Sequence, residues 1–211
     1  YKDRDDIYIS FTKINKVGVN PKTYFNTPAG VYTYPIKEFW KFYDVDNRGT
    51  VKMAAPFAGR RKYIQILKGK HTKGFIQDIS KYTQSDLIKD QQKILSYIKD
   101  EYDRNRVKEE IIDNADSKAL VKTSFGKFWH ITEKISRFEG IRQLVGIKSQ
   151  HSSFAWTELL RKMGYTGFAD VKGQGILWPS EPVQAVFLDP REYEQIDMIE
   201  NKEHKNIIRN K

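Results

Sequence analysis

The 211-residue chain contains no cysteine, so disulfides, thiolate metal sites and thiol nucleophiles are excluded. It has no apolar run long enough to span a bilayer, and its opening "YKDRDD" carries no signal-peptide pattern, so no membrane partner is expected. The four histidines, His71, His130, His151 and His204, show no ligand spacing with one another or with nearby carboxylates, and no metal centre is expected. There is no P-loop and no Gly-x-Ser-x-Gly elbow. The "GQG" of "VKGQGILW" is too short for a dinucleotide fingerprint, which argues against Rossmann and Walker chemistry. "YDVDNRG" looks like a calcium loop but lacks the later glutamate, so it reads as a turn.

What is abundant is positive charge. Lys+Arg number 37 against 27 Asp+Glu, a formal charge of +10. Such a surplus favours nucleic acid or another polyanion, so DNA or RNA contact through a basic surface is a candidate. The basic residues are scattered, with "GRRK" (59–62) and "KGKHTK" (68–73) the densest groups, and a lysine-rich composition alone explains many such chains. The 12 Tyr, 12 Phe and 4 Trp suit a packed β core and stacking pockets equally.

Strand patterns occur at both ends of the chain. Ile7–Phe11 is β-branched and aromatic, "GVYTYPI" is stopped at Pro35 with a turn or two of helix following, and "RKYIQILKG" alternates cleanly to Gly69. The segment between, "NKVGVNPKTYFNTPAG", is turn-rich and reads as an ordered loop. The middle changes period. Leu87, Ile88, Ile94, Leu95 and Ile98 predict a helix over 85–114 with Ser85 as cap, and a further helical stretch follows with a break near Gly126. In "SSFAWTELLRKMG", Trp156, Leu159, Leu160 and Met163 share a face, Ser152 or Ser153 caps, and Gly164 ends the helix. The segment "TGFADV", a Gly-rich turn at "KGQG", a short strand at "ILW" and a buried strand at Val183–Leu188 complete the pattern. The expectation is an α+β chain. Residues 1–200 form a single domain with a helical insertion at about 75–150, and 201–211 are a polar tail.

Three pieces taken in order are more specific than any one alone: "IYISFTKINKVGVNP", "TPAGVYTYP" and "LLRKMGYTGFAD…GQGILWPSEPVQAVFLDP". Together they resemble the ADP-ribosyltransferase domain of phage and mobile-element polyvalent proteins. More distantly they resemble the poly(ADP-ribose) polymerase branch with its His–Tyr–Glu signature. The resemblance covers the first third and last quarter of the chain and implies a split β core that binds NAD.

Carried over position by position, the resemblance sets "SFT" against the His-Gly-Ser/Thr segment. Ser10 then stands where the histidine would be and Thr12 at the Ser/Thr place, with Phe11 between them. Serine lacks the reach and second polar atom of imidazole. "AGVY" matches the next motif, which makes Tyr32 the residue that stacks on nicotinamide, with Gly30 and Tyr34 beside it among the NAD-binding positions. In the last motif a glutamate heads the final core strand, binds the ribose and stabilises the cationic transition state. Counting back from the aspartate of "FLDP" places Gln184 there; chemistry favours Glu181, the carboxylate at the strand entrance, which Pro182 could return to the site through a bulge. Glu181 is preferred as the charged residue, with Gln184 its polar neighbour.

The implied activity is cleavage of NAD at the nicotinamide–ribose bond and transfer of ADP-ribose to a protein or nucleic-acid acceptor, in a host cytoplasm or a phage virion. The alternative is a catalytically inactive, basic virion or DNA-associated protein that retains the fold.

Overall fold

The computed structural model describes residues 1, 3–12, 27–42, 63–115, 122–178 and 183–200. "YDVDNRG", "GRRK", most of the 15–30 loop, Glu181 and the 201–211 tail lie outside them. The architecture is mixed α+β, and contacts divide the chain into two compact units. One is formed by Tyr1–Val19, Gly30–Gln77 and Thr166–Lys211, the other by Asn20–Ala29 and Asp78–Tyr165.

The first unit is built on a seven-stranded sheet. Its strands are β1 (Ile7–Thr12), β2 (Val31–Pro35), β3 (Tyr63–Gly69), β4 (Phe75–Ile76), β5 (Gly167–Asp170), β6 (Gln184–Phe187) and β7 (Tyr193–Glu200). They lie in the order β4-β5-β6-β2-β1-β3-β7, antiparallel except for β4 with β5. After Pro35 the chain turns directly into α1 (Ile36–Phe42). The sheet divides at β2. Its Tyr34 and Pro35 pair with Ile9 and Tyr8 of β1, whereas Val31, Tyr32 and Thr33 pair with Phe187, Val186 and Ala185 of β6. β1 stays paired to β3 along its whole length.

Alternation of side chains sorts this sheet into two faces. Ile7, Ile9, Tyr34, Ile64 and Ile66 cluster on one, with Ile36 and Phe39 of α1 packed against them. Tyr8, Val31, Leu67, Ala169, Ala185 and Phe187 cluster on the other with Phe75. Each such fully buried aliphatic or aromatic side chain contributes about 1.5–3 kcal/mol, which is why "IYISF" and "YIQIL" hold the centre.

Two strand expectations change. Ile176–Trp178 is not a strand, because the Ile176 N–H is spent on the carboxylate of Asp170 (3.4 Å) rather than on a neighbouring strand. β7 is a strand that apolar content does not announce. It is an edge strand with Glu194, Gln195 and Ile196 exposed, and charge on an edge strand guards against pairing with other chains.

The turn after β3 carries the one positive φ of a described non-glycine residue, His71 at 50°. Its Nε2 shares a 2.7 Å hydrogen bond with the Tyr8 hydroxyl, and its ring stacks on Phe75 at 5.1 Å. Next to it, the buried carboxylate of Glu192 accepts from the Thr72 N–H and hydroxyl and from the Thr166 hydroxyl. Burial lowers the His71 pKa, against an opposing pull from Glu192 and the more distant Asp6 and Asp5. A histidine whose folded pKa lies below its unfolded value of about 6.5 stabilises fully above that value, and the contribution falls away as pH drops through it. Urea denaturation at pH 7.5 and 5.5 should therefore show a larger loss for wild type than for His71→Gln; equal losses would remove His71 from the account.

The second unit is helical. The single helix expected over 85–114 is interrupted at 97–100, giving α2 (Gln84–Ser96) and α3 (Glu101–Val107), which runs on into a π-helical turn over Lys108–Asp113. The cap of α2 is Thr83, not Ser85. Thr83 and Asp86 exchange hydrogen bonds as a capping box, which needs the acidic residue three positions on. Ile88 is 44% exposed, so the apolar stripe is narrower than the spacing suggested. α4 (Ser124–Arg137) has no break at Gly126. That glycine sits in the first turn, with its N–H held by the Thr123 hydroxyl at 3.0 Å. α5 (Glu139–Leu144) and α6 (Ser152–Lys162) follow.

The cap position of α6 is His151, without a side-chain bond, while Ser153 is buried within the helix. Gly164, at φ +96°, ends it as expected. Inside this unit Asp90 accepts from the hydroxyls of both Tyr82 (2.6 Å) and Tyr165 (2.5 Å), tying α2 to the segments on either side of the helical run. No helix among the described residues is long and apolar enough to cross a membrane.

Candidate functional site

β2 and β6 place the residues that carry the site. Tyr32 lies opposite Val186, and Gln184 lies two residues from Val186, so both side chains project from the same face as diagonal neighbours on adjacent strands. Neighbours of that kind sit about 7–8 Å apart at the backbone, within reach of one planar ligand. Tyr32 is half-buried and meets Trp178 edge to face, ring centroids 5.4 Å apart. Gln184 is buried, and its Oε1 has no hydrogen-bond partner among the described residues. A buried acceptor in that state costs roughly 1–3 kcal/mol, so the arrangement is one that a donor from outside the chain would relieve.

Opposite Gln184 on β5 stands Asp170, fully buried. Its Oδ1 accepts from Gln174 N–H at 2.9 Å and its Oδ2 from Ile176 N–H, and the N–H groups of Gly173 and Gly175 also face it. Gly173 and Gly175 have φ of 71° and 68°, a left-handed backbone that glycine adopts freely and that lets successive N–H groups turn inward. The "KGQG" turn thus wraps the chain's own carboxylate, and the amides that could cradle a phosphate are already occupied. Burial outweighs these donors and raises the Asp170 pKa above the ordinary carboxyl range. Gln174 adds a second buried amide oxygen without a partner among the described residues.

Ser10 is not brought to the same face. It follows Ile9, whose side chain joins Tyr34 on the Tyr32 face, so Ser10 points with Tyr8 to the other side, opposite Gln65. Its hydroxyl donates to the Tyr32 carbonyl at 3.2 Å, bridging β1 and β2 where their ladder ends. Gln65 is buried and its Nε2 has no partner among the described residues. Phe11 and Tyr34 pack on each other and on Phe39 in the core, edge to face at 5.9 and 5.4 Å for the two Tyr34 contacts. Thr12 ends β1. Gly30 serves spacing: a Cβ there would lie 2.7 Å from the Phe187 carbonyl oxygen and 2.8 Å from Val186 Cγ2. Glu181 lies outside the described residues.

Asp170, Gln174 and Trp178 were absent from the sequence-derived site. The signal for them was the acidic residue three positions before "GQG", since paired glycines near a buried aspartate mark a loop folded around it. Among the described residues no group of three His, Asp or Glu side chains could hold a metal ion. Lys68, Lys70 and Lys73 are exposed, so the "KGKHTK" cluster is available to solvent. No family model, curated protein or solved structure matches the chain.

Proposed function

We propose that this chain is an NAD-dependent ADP-ribosyltransferase domain with the split β core that its motifs imply. The observation that carries the reading is the placement of Tyr32 and Gln184. Separated by about 150 positions in sequence, they stand on one face of adjacent strands, and β2 divides the sheet between its β1 and β6 pairings. In this reading Tyr32, with Trp178 beside it, offers aromatic surface to the nicotinamide ring, an electron-poor cation in NAD. Gln184 lies toward the ribose, Glu181 supplies the negative charge, and Ser10 with Thr12 borders the split on β1. The departing nicotinamide leaves an oxocarbenium-like ribose that the acceptor attacks. The acceptor is a nucleophile on a protein or nucleic acid, encountered in a host cytoplasm or a virion.

The test is titration with NAD followed by tryptophan fluorescence, alongside nicotinamide release from labelled NAD. NAD should quench the emission, and Trp178→Phe should remove most of that response. Tyr32→Ala should weaken binding by about 1 kcal/mol, roughly fivefold, through the lost ring surface. Unchanged affinity in Tyr32→Ala would remove the stacking role.

A second reading is favoured by one observation. Ser10, at the family's histidine position, has its hydroxyl engaged by the Tyr32 carbonyl, and Gln184 cannot supply a charge. A basic, non-catalytic DNA-associated protein would look like this. It should bind DNA with affinity falling steeply as salt rises, and give no response to NAD.

A further inference from the structure

The helical unit holds a cavity of about 280 Å³. Glu110, Ile111 and Ala115 line it from the π-helical turn and the residues that follow. His130 and Lys134, one helical turn apart, line it from α4, and Phe138 and Ile141 from the start of α5. α4 packs against both of the other elements. A π turn is rare in folded chains, and where one interrupts a helix it is frequently at a functional site. Asn114, which also lines the cavity, donates to the carbonyls of Glu109 and Glu110 at 3.2 Å, so its amide is engaged with the turn itself.

Two kinds of surface meet in this cavity. Ile111 and Ala115 are buried, Ile141 is half-buried, and the Phe138 ring is 51% exposed, an unusual state for a phenylalanine. The other surface is charged. Nearby charges are satisfied within the chain: Arg106 pairs with Asp103, Lys108 with Asp113 and Arg137 with Glu133. Glu110 and Lys134 differ. Among the described residues neither side chain has an ion pair or a hydrogen bond, and they do not bridge to each other.

That combination discriminates between ligands by charge. An anion drawn to Lys134 meets the carboxylate of Glu110, and a cation drawn to Glu110 meets the ammonium of Lys134. A molecule carrying both charges, a few ångströms apart, satisfies both and leaves an apolar body for Phe138, Ile111 and Ile141. The size agrees, since pockets for drug-sized ligands begin at about 300 Å³, which leaves room here for one small molecule and none for a dinucleotide.

We infer that the cavity between the π-helical turn, α4 and α5 binds a small zwitterion with an apolar side chain, an α-amino acid such as leucine or phenylalanine. Its ammonium group lies toward Glu110, its carboxylate toward Lys134 and its side chain toward Phe138. Every residue involved belongs to the helical unit, so the inference does not rest on the NAD reading.

The experiment uses the whole chain and ligand-observed NMR titration. L-phenylalanine is compared with 2-phenylethylamine, which lacks the carboxylate, and with 3-phenylpropanoate, which lacks the ammonium. L-leucine is compared with its own amine and acid in the same way. Each amino acid should bind at least about tenfold more tightly than either analogue, because each analogue leaves one charge unmatched. Lys134→Met should reduce the amino acid to the affinity of the amine, and Glu110→Gln should reduce it to that of the acid. Phe138→Ala should weaken all three ligands together by a few-fold without changing their order. Lys134→Gln repeats the first substitution with a polar side chain, so a folding defect in one variant leaves the other readable.

Equal binding of amino acid, amine and acid overturns the inference, as does no binding of any of them. Selectivity that survives both Lys134→Met and Glu110→Gln overturns it as well, since the amino acid would then be bound elsewhere.

Discussion

Glu181→Gln is expected to lower NAD turnover by about two to three orders of magnitude while NAD affinity changes only a few-fold. The substitution removes a charge and keeps the size. The positive charge on the ribose develops mainly as nicotinamide departs, so a fixed carboxylate acts on the transition state far more than on bound NAD. Losing one preorganised electrostatic partner of this kind costs about 2.7–4 kcal/mol of activation free energy. Gln184→Ala provides the counter-test. A mild loss leaves the charge with Glu181, whereas collapse of activity with Glu181→Gln tolerated moves the role to Gln184. Pre-steady-state nicotinamide release separates the two, because it reads bond cleavage before transfer to the acceptor. Wild-type protein that neither hydrolyses NAD nor transfers ADP-ribose would leave the DNA-associated reading in its place.

The second large effect concerns the frame. Asp170→Ala should destabilise the first unit by about 3 kcal/mol or more, measured by urea denaturation. Removing the carboxyl group leaves the N–H groups of Gln174 and Ile176, together with those of Gly173 and Gly175, facing a void. Each buried donor left unpaired costs roughly 1–3 kcal/mol, and partial relaxation of the turn recovers some of the total. Asp170→Asn should be milder, about 1–3 kcal/mol. Its amide oxygen can replace one carboxylate oxygen, but its NH2 group then faces the N–H that the other oxygen met, since Oδ1 accepts from Gln174 and Oδ2 from Ile176. A full-size loss in Asp170→Asn would mean that charge, rather than hydrogen bonding, holds the loop. A loss below about 0.5 kcal/mol in Asp170→Ala would mean that the turn folds without its template.

Both predictions depend on residues that differ in how far the sequence exposes them. Tyr32 and Gln184 were singled out through the resemblance alone, whereas β3 was legible through period-two alternation and β1 through β-branched and aromatic content, since half-buried strands favour both. Helix α6 was legible from its apolar face and its terminal Gly164. The cap of α2 was misplaced by two residues because several hydroxyls stand together in "YTQS", and the deciding partner is Asp86, which pairs by geometry with Thr83 alone. Trp178 was read as strand because "ILW" is apolar. The competing demand came from Asp170, which draws the Ile176 N–H away from any ladder.

Local order was thus legible in the sequence where periodicity and turn glycines act over a few positions, as in β1, β2, β3 and at the Gly164 end of α6. Tertiary structure decided which of those residues meet. Whether Ser10 shares a face with Tyr32 turns on strand register, and a shift of one residue reverses every side chain. The pairing of β2 with β6 across about 150 positions gathers Tyr32, Gln184 and Asp170 at one corner of the sheet. The packing there, not any motif, buries the Gln174 and Gln184 side-chain oxygens away from any partner among the described residues.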